Sequence, residues 1–246
     1  MFLDIEQAFQ QIQNLPQPLK HAGLMQAAGV QFYDQDLRFV ARPSVAIIGV
    51  GGIPIRDIGG QPTLSGNPIN WKVLAQEFLT MAGASAAMSY MNPKGKPLEL
   101  LGQAVVQTHH HYSVLHTAYL NIGVFGLTSA VEHEFDTQRD LLHLSRITVA
   151  RTAAQSQPSF VVLNPRHLTA LENIVALVDA EVSRLPDAKD LEAVNNLYPA
   201  LKAHSLILSG TLRNILKLCD QITDQGKEEE YRLLLTQIKA LIGPIT

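Results

Sequence analysis

The side chains best suited to chemistry crowd into one stretch, Thr108 to Pro158. It opens on His109, His110, His111 and His116 and runs on into carboxylates and arginines. In a chain only 17% charged, that concentration marks where a site should be sought first. Glu132, Asp136, Arg139, His143 and Arg146 follow one another at spacings of four, three, four and three residues. On a helix they would share one face, two acids followed by two guanidiniums around an imidazole. Such a face is either solvated, with ion pairs of about 0.2–0.5 kcal/mol each, or an anion site, because Arg presents a rigid donor fork that fits phosphate and carboxylate. The histidines invite a metal, but adjacent residues on a helix point about 100° apart and the sequence contains no HxxxH or HExxH pair, which argues against a simple helical metal site. A polar pocket mouth or a structural role is the alternative for them. Ser113, His116 and Asp136 could be written as a serine triad, yet no GxSxG elbow accompanies them.

The elements that must position these groups are read from periodicity. Thr128 to Gln155 lacks proline and glycine, begins with a Thr-Ser pair able to cap a helix, and carries Val131, Phe135, Leu142 and Val149 as an apolar stripe; this predicts one long central helix. Tyr119 to Phe125 is β-rich and reads as the strand feeding it. Ser159 to Leu163 is a second such strand. Further helices are predicted over Asp4 to Leu15, Leu19 to Ala28, Trp71 to Met88, Glu99 to Thr108, Leu168 to Leu185 and Lys227 to Ile242, and one or two over Asp190 to Asp220. Leu37 to Val50 reads as a strand pair or a kinked strand, since Pro43 cannot donate to a ladder. Its end, GVGGIP, lacks the GxGxxG spacing of a phosphate loop and reads as an ordinary turn. The glycines and prolines from Arg56 to Asn70 predict an exposed loop, and Asn92 to Lys96 a turn. Together these elements give an α+β chain, a mixed or antiparallel sheet packed with several long helices, and a single domain over 1–246.

Composition narrows the function classes. With 246 residues, 46% of them hydrophobic, the chain has ample length for a core. A net charge of −3 gives no reason to expect nucleic acid or an anionic membrane as partner. Cys219 is the one cysteine, so neither a disulfide framework nor a Cys-based zinc site is available; its neighbours ILKL–D predict a buried, inert thiol. MFLDIEQAFQQ lacks the regions of a signal peptide and no uncharged apolar run reaches the length of a membrane span. A cytoplasmic location is the expectation.

The motif residues, taken together, resemble those of the flavin-dependent thymidylate synthases. His111, Ser113, Val114, Leu115, His116 and Tyr119 look like the opening of that family's signature, one residue short where the family has Glu before His. From Gly126 the register holds without gaps: Ser129 falls beside the family's Ser-Arg, His133 at its His, and Arg139 at the last Arg of its RHR. LYPALKAHSLILSGTLRNILKLCD is similar to a C-terminal segment of the family and puts Arg213 at the arginine that recognises nucleotide. Glu230-Tyr231-Arg232 looks like a later E-I-R. The likeness covers 99–246; residues 1–98 match little.

The resemblance implies the family's fold and a homotetramer with sites shared between subunits. It also implies methylation of dUMP to dTMP with FAD as cofactor and NADPH and methylenetetrahydrofolate as co-substrates. It assigns His111, Ser113, His116, Arg139, His143 and Arg146 to the flavin. Arg151, Arg213 and Arg232 go to the nucleotide, and Arg213 and Thr148 to catalysis, Arg213 by stabilising negative charge on the pyrimidine carbonyl; no metal is implied. The departures are specific. Thr137-Gln138-Arg139 stands where the family has RHR. The family's active-site serine and following arginine fall at Ile147 and Val149, so that Thr148 and Arg151 serve only after a shift of one to two residues. Another family arginine falls near Cys219. These losses set beside the synthase an alternative: a catalytically inactive homologue that keeps the oligomeric fold and a flavin or nucleotide pocket.

Overall fold

Pro43 divides the apolar run FVARPSVAIIGV into two strands that enter different sheets, as its missing donor requires. The computed structural model describes residues 1–90, 96–138, 140–146, 157–184, 198 and 201–243. Among these, β1 (Gln31–Phe32), β2 (Phe39–Arg42) and β9 (Phe160–Val161) form a small sheet in the order β1-β2-β9, with β2 and β9 parallel. The larger sheet comprises β3 (Ser44–Val50), β4 (Ile53–Ile58), β5 (Gln61–Leu64), β6 (Asn67–Pro68), β7 (Tyr119–Leu127), β8 (His143–Arg146) and β10 (His204–Thr211). Its order is β6-β5-β4-β3-β7-β10-β8, and every pairing is antiparallel. The helices are α1 (Ile5–Ile12), α2 (Lys20–Ala27), α3 (Trp71–Tyr90), α4 (Leu98–Gln103), α5 (Ser129–Asp136), α6 (Leu168–Val182), α7 (Leu212–Cys219) and α8 (Glu229–Ile242). The α+β reading therefore holds. None of the described helices is long and apolar enough to cross a membrane.

Strands β7 and β10 form the centre. They pair from Tyr119 opposite Thr211 to Leu127 opposite His204. On one face Leu120, Ile122, Val124, Leu206 and Leu208 are buried with Phe78 and Leu79 of α3, Ile215 and Leu218 of α7, and Tyr231 and Leu235 of α8. On the other face Ala46 and Phe125 pack with Ala8 and Ile12 of α1 and Leu24 and Met25 of α2. A satellite cluster of Phe39, Phe160, Val162, Leu171 and Val175 joins the small sheet to α6.

Three expectations are corrected. The first is the long helix from Thr128, which ends at Asp136. Thr137 Oγ1 donates back to the Glu134 carbonyl, and Asn214 Nδ2 of α7 donates to the Leu141 carbonyl at 2.8 Å, holding the chain as it turns back. Residues 143–146 then form the edge strand β8 against β10; residues 147–155 lie outside the described residues. The second is Asp190 to Asp220, predicted helical, where 204–211 is instead strand β10. Its burial alternates, with Leu206 and Leu208 enclosed and Ile207, Ser209 and Thr211 half-buried, a period of two that the neighbouring helical pattern obscures. The third is Arg56 to Asn70, expected as a loop, which holds the rest of β4 and the short strands β5 and β6. Thr63 is buried there, so tertiary packing overrides the turn-rich composition.

Two close approaches explain particular glycines. Gly51 (φ 57°) and Gly52 (φ 80°) turn β3 into β4 with two left-handed residues, the geometry of a tight hairpin; GVGGIP is thus a turn, as its spacing indicates. Gly83 of α3 and Gly102 of α4 meet backbone to backbone. A Cβ on Gly83 would lie 1.8 Å from the Leu98 carbonyl oxygen, and one on Gly102 1.9 Å from that of Leu79. Because the obstacle is main chain, neither side can yield without separating the helices. Gly83→Ala is expected to cost about 3 kcal/mol, read as a lower urea midpoint with unchanged slope. A midpoint equal to wild type would show that α3 and α4 do not cross at this distance.

Candidate functional site

The ladder of β7 and β10 sends a helix out at each end, and each helix start carries polar groups. At the end where β10 finishes, Thr211 caps α7, accepting from the Asn214 amide at 3.3 Å. The same hydroxyl lies 3.2 Å from His116 Nδ1, and the Leu212 amide donates to the Ala118 carbonyl. The motif residue His116 is thereby tied to the helix that carries Arg213. Helix α7 buries Leu212, Ile215, Leu218 and Cys219 and turns Arg213, Lys217 and Asp220 outward. With Lys239 of α8 and with His110 and Tyr112, these polar residues line a cleft of about 340 Å³, to which Leu216 and Cys219 add apolar wall. His110 holds a left-handed backbone (φ 53°), and its Nδ1 lies 3.1 Å from the Tyr112 hydroxyl. Three cations against one carboxylate give the cleft a positive balance suited to an anion. Burial pushes the Cys219 thiol up to about 12, and the thiol faces the Leu235 carbonyl at 3.8 Å. It is inert, as its apolar setting predicts.

At the other end, β7 runs into α5. Thr128 caps that helix through Val131, and buried Glu230 of α8 accepts from the Thr128 amide at 2.9 Å and the Thr128 hydroxyl at 2.6 Å. Burial raises the Glu230 carboxyl, with the Thr128 hydrogen bonds pulling the other way. Glu132, also buried, takes Arg146 Nε on Oε1 and His204 Nδ1 on Oε2 at 2.7 Å. Burial alone would raise Glu132, but the hydrogen bonds and charges of His204 and Arg146 outweigh it and hold the carboxylate below its usual range. Arg146 also faces Asp136 at 3.9 Å. Glu132, Asp136 and Arg146 of the stripe seen in the sequence thus meet in space, but through strand β8 folding back on α5 rather than along one helix.

The residues assigned to flavin and nucleotide separate accordingly. His111, Ser113, His116 and Arg213 are exposed around the α7 end. His143 is exposed on edge strand β8, opposite Ser209. Arg146 lies at the far end of β8 in the Glu132 pair. Arg232 is half-buried on α8, with Nη1 3.4 Å from Gln225 Oε1 and Nε without a hydrogen-bond partner among the described residues; it does not line the Arg213 cleft. Arg139, Thr148 and Arg151 fall outside the described residues. Thr137 and Gln138, standing where the family has Arg and His, serve the end of α5: Gln138 donates to Thr137 Oγ1 at 3.1 Å and accepts from Gln221 Nε2 at 3.0 Å. Among the described residues assigned to flavin, His111, Ser113 and His116 thus lie at the α7 end, while Arg146 lies with Glu132 and Asp136 at the α5 end. Ser113 and His116 likewise do not meet Asp136. The sequence does not single out Lys217, Lys239 or Tyr112; for Lys217 alone, the i,i+4 relation to Arg213 is a visible signal.

No family profile matches the chain, and no curated protein matches it in sequence. Solved structures do. Thymidylate synthase X from Helicobacter pylori, solved with FAD and dUMP, is similar at a TM-score of 0.50 and 16% identity, covering 66% of this chain and 88% of that one. A UMP/dUMP methylase, PolB, from Streptomyces cacaoi, bound with 5-Br dUMP, is similar at 0.56 and 11%, covering 85% and 93%. The chain has the fold of these enzymes, a divergent version of the thymidylate synthase X type, and the sequence resemblance to flavin-dependent thymidylate synthases agrees with it.

Behind the Glu132 group, His21 of α2 is half-buried with Nε2 3.2 Å from Ser205 Oγ. Burial, and then the His204 charge, lower it to about 4 from 6.5. A base whose folded value is depressed stabilises the fold above its unfolded value and loses that contribution as pH falls toward the folded one. Between pH 7 and pH 5 the His21 contribution is expected to fall by about 2 kcal/mol. Urea titrations of wild type and His21→Gln check this: the variant should lose that share of the slope, and identical slopes would contradict a neutral ring.

Proposed function

We propose that this chain binds a uridine-type nucleoside monophosphate, dUMP or a close relative, in the cleft between α7, α8 and the turn at His110 to Tyr112, and methylates it. The observation that carries the reading is the group of Arg213, Lys217 and Lys239 around one cleft, on a fold whose solved examples include proteins bound to dUMP and 5-Br dUMP. Arg213 offers the phosphate a bidentate fork, and the lysines add charge without geometry. Lys239 supplies a cation on the wall where Cys219 stands in place of a family arginine. Leu216 and Tyr112 give a base an apolar edge to rest on. Methyl transfer would draw on methylenetetrahydrofolate and NADPH with FAD as the redox cofactor; homotetramer assembly is part of this proposal, since donors for a flavin would have to come from more than one chain.

A second reading, nucleotide binding without turnover, is supported by a specific observation. Thr137 and Gln138 cap α5 and bind Gln221, so the positions of two signature residues serve the fold. The two readings share the nucleotide cleft and part at the flavin.

Calorimetric titration with dUMP tests the shared claim. Wild type should bind, and Arg213→Ala should weaken binding roughly 10–100-fold through loss of a charge-assisted contact; equal affinities would remove Arg213 from the site. Absorbance spectra with added FAD and dUMP then separate the readings. A stoichiometric flavin band with dUMP-dependent NADPH oxidation selects the methylase. Nucleotide binding without flavin uptake selects the binder.

A further inference from the structure

Ser129, His204 and Glu132 form a connected line at the α5 end, far from the nucleotide cleft. Ser129, the first residue of α5, has its Oγ 3.1 Å from His204 Nε2. The opposite ring nitrogen, Nδ1, lies 2.7 Å from Glu132 Oε2. Glu132 is an ionised carboxylate, fixed on its other oxygen by Arg146, and such a group only accepts hydrogen bonds. In the neutral imidazole the proton therefore sits on Nδ1, and Nε2 presents its lone pair to the Ser129 hydroxyl. This is the order of nucleophile, base and orienting acid by which a serine is activated.

The surroundings suit acyl transfer. Glu132 is 7% exposed, as a buried orienting acid should be, while the His204 side chain is 20% exposed and Ser129 is half-buried beside exposed Ala130. Ser129 and His204 thus both keep some exposure to solvent. The Ala130 amide stands in the first turn of α5, where the helix dipole favours negative charge. A carbonyl oxygen becoming an oxyanion at Ser129 would lie on this side of the helix start. Glu230 on Thr128 and Arg146 on Glu132 hold the helix start and the acid in place.

We propose that Ser129, His204 and Glu132 constitute a second catalytic site, a serine esterase centre for small carboxylic esters. Ser129 Oγ bonds the ester carbonyl carbon as its proton passes to His204 Nε2. The tetrahedral oxyanion collapses, the bond to the alcohol oxygen breaks, and that oxygen takes the proton from Nε2. Water then attacks the acyl-Ser129 carbon and gives a proton to Nε2; the acid leaves as Ser129 Oγ recovers that proton. The sum is ester plus water to acid plus alcohol, with no further reactant. Ser129 follows β7, whereas the nucleotide cleft lies beyond the start of that strand, roughly 25 Å away at strand rise, so the two sites are independent.

Full-length protein treated with a fluorophosphonate probe and read by intact and peptide mass spectrometry tests this, with hydrolysis of p-nitrophenyl acetate as the rate assay. One adduct is expected, on Ser129. Ser129→Ala should carry none, and Ser129→Ala and His204→Gln should each lower hydrolysis roughly 10²–10⁴-fold. Ser129→Ala should still unfold in one cooperative transition, since Thr128 and not Ser129 caps the helix. Should His204→Gln fail to fold, labelling of wild type and Ser129→Ala alone decides. Wild type that takes no probe, or that hydrolyses ester no faster than Ser129→Ala, would overturn the proposal and leave Ser129 a structural contact of His204.

Discussion

Everything catalytic in this reading depends on the antiparallel ladder between β7 and β10. It runs from Tyr119 opposite Thr211 to Leu127 opposite His204, with Leu120, Ile122, Val124, Leu206 and Leu208 enclosed on one face. Because side chains alternate with a period of two, a slip by one residue would exchange buried leucines for polar Ser209 and Asn121, and would be costly along the whole strand. The fixed register has a second effect. The strands are antiparallel, so the helix that follows β7 and the helix that follows β10 begin at opposite ends of the sheet.

That geometry sorts the charged groups. At one end Arg213, Lys217 and Lys239 face a cleft together with His110 and Tyr112. At the other, carboxylates dominate, and each is matched: Glu132 by Arg146 and His204, Glu230 by Thr128. Buried carboxylates are tolerated only when their oxygens are occupied, and here strand β8, strand β10 and Thr128 at the start of α5 contribute the partners. The same contacts hold Arg146 beside Glu132 and Asp136 at the α5 end. Removing one partner would leave a buried charge unmatched, which costs far more than the pair itself contributes.

Much of this was legible in the sequence. The apolar periodicity of α1, α3, α6 and α8, the strand character of Tyr119 to Phe125, and the break at Pro43 all follow from local pattern. The resemblance pointed to the fold and singled out Arg213, which lines the cleft beside α7. What was not legible is long-range. A run without proline or glycine, Thr128 to Gln155, reads as one helix because nothing local ends it; the ending comes from Asn214 holding the Leu141 carbonyl and from pairing with β10. Strand β10 itself lies between helical patterns and declares itself only through Leu206 and Leu208. The Ser129–His204 contact joins residues 75 apart, and no spacing rule reaches that far.

The central claim is that a uridine-type nucleotide occupies the cleft between α7 and α8. A crystal structure of the protein with 5-Br dUMP, phased for the bromine, tests it most directly. The account predicts one bromine position inside that cleft, with the phosphate against Arg213. A bromine on the β8 edge or at the start of α5, or no bound nucleotide at saturating concentration, would contradict it.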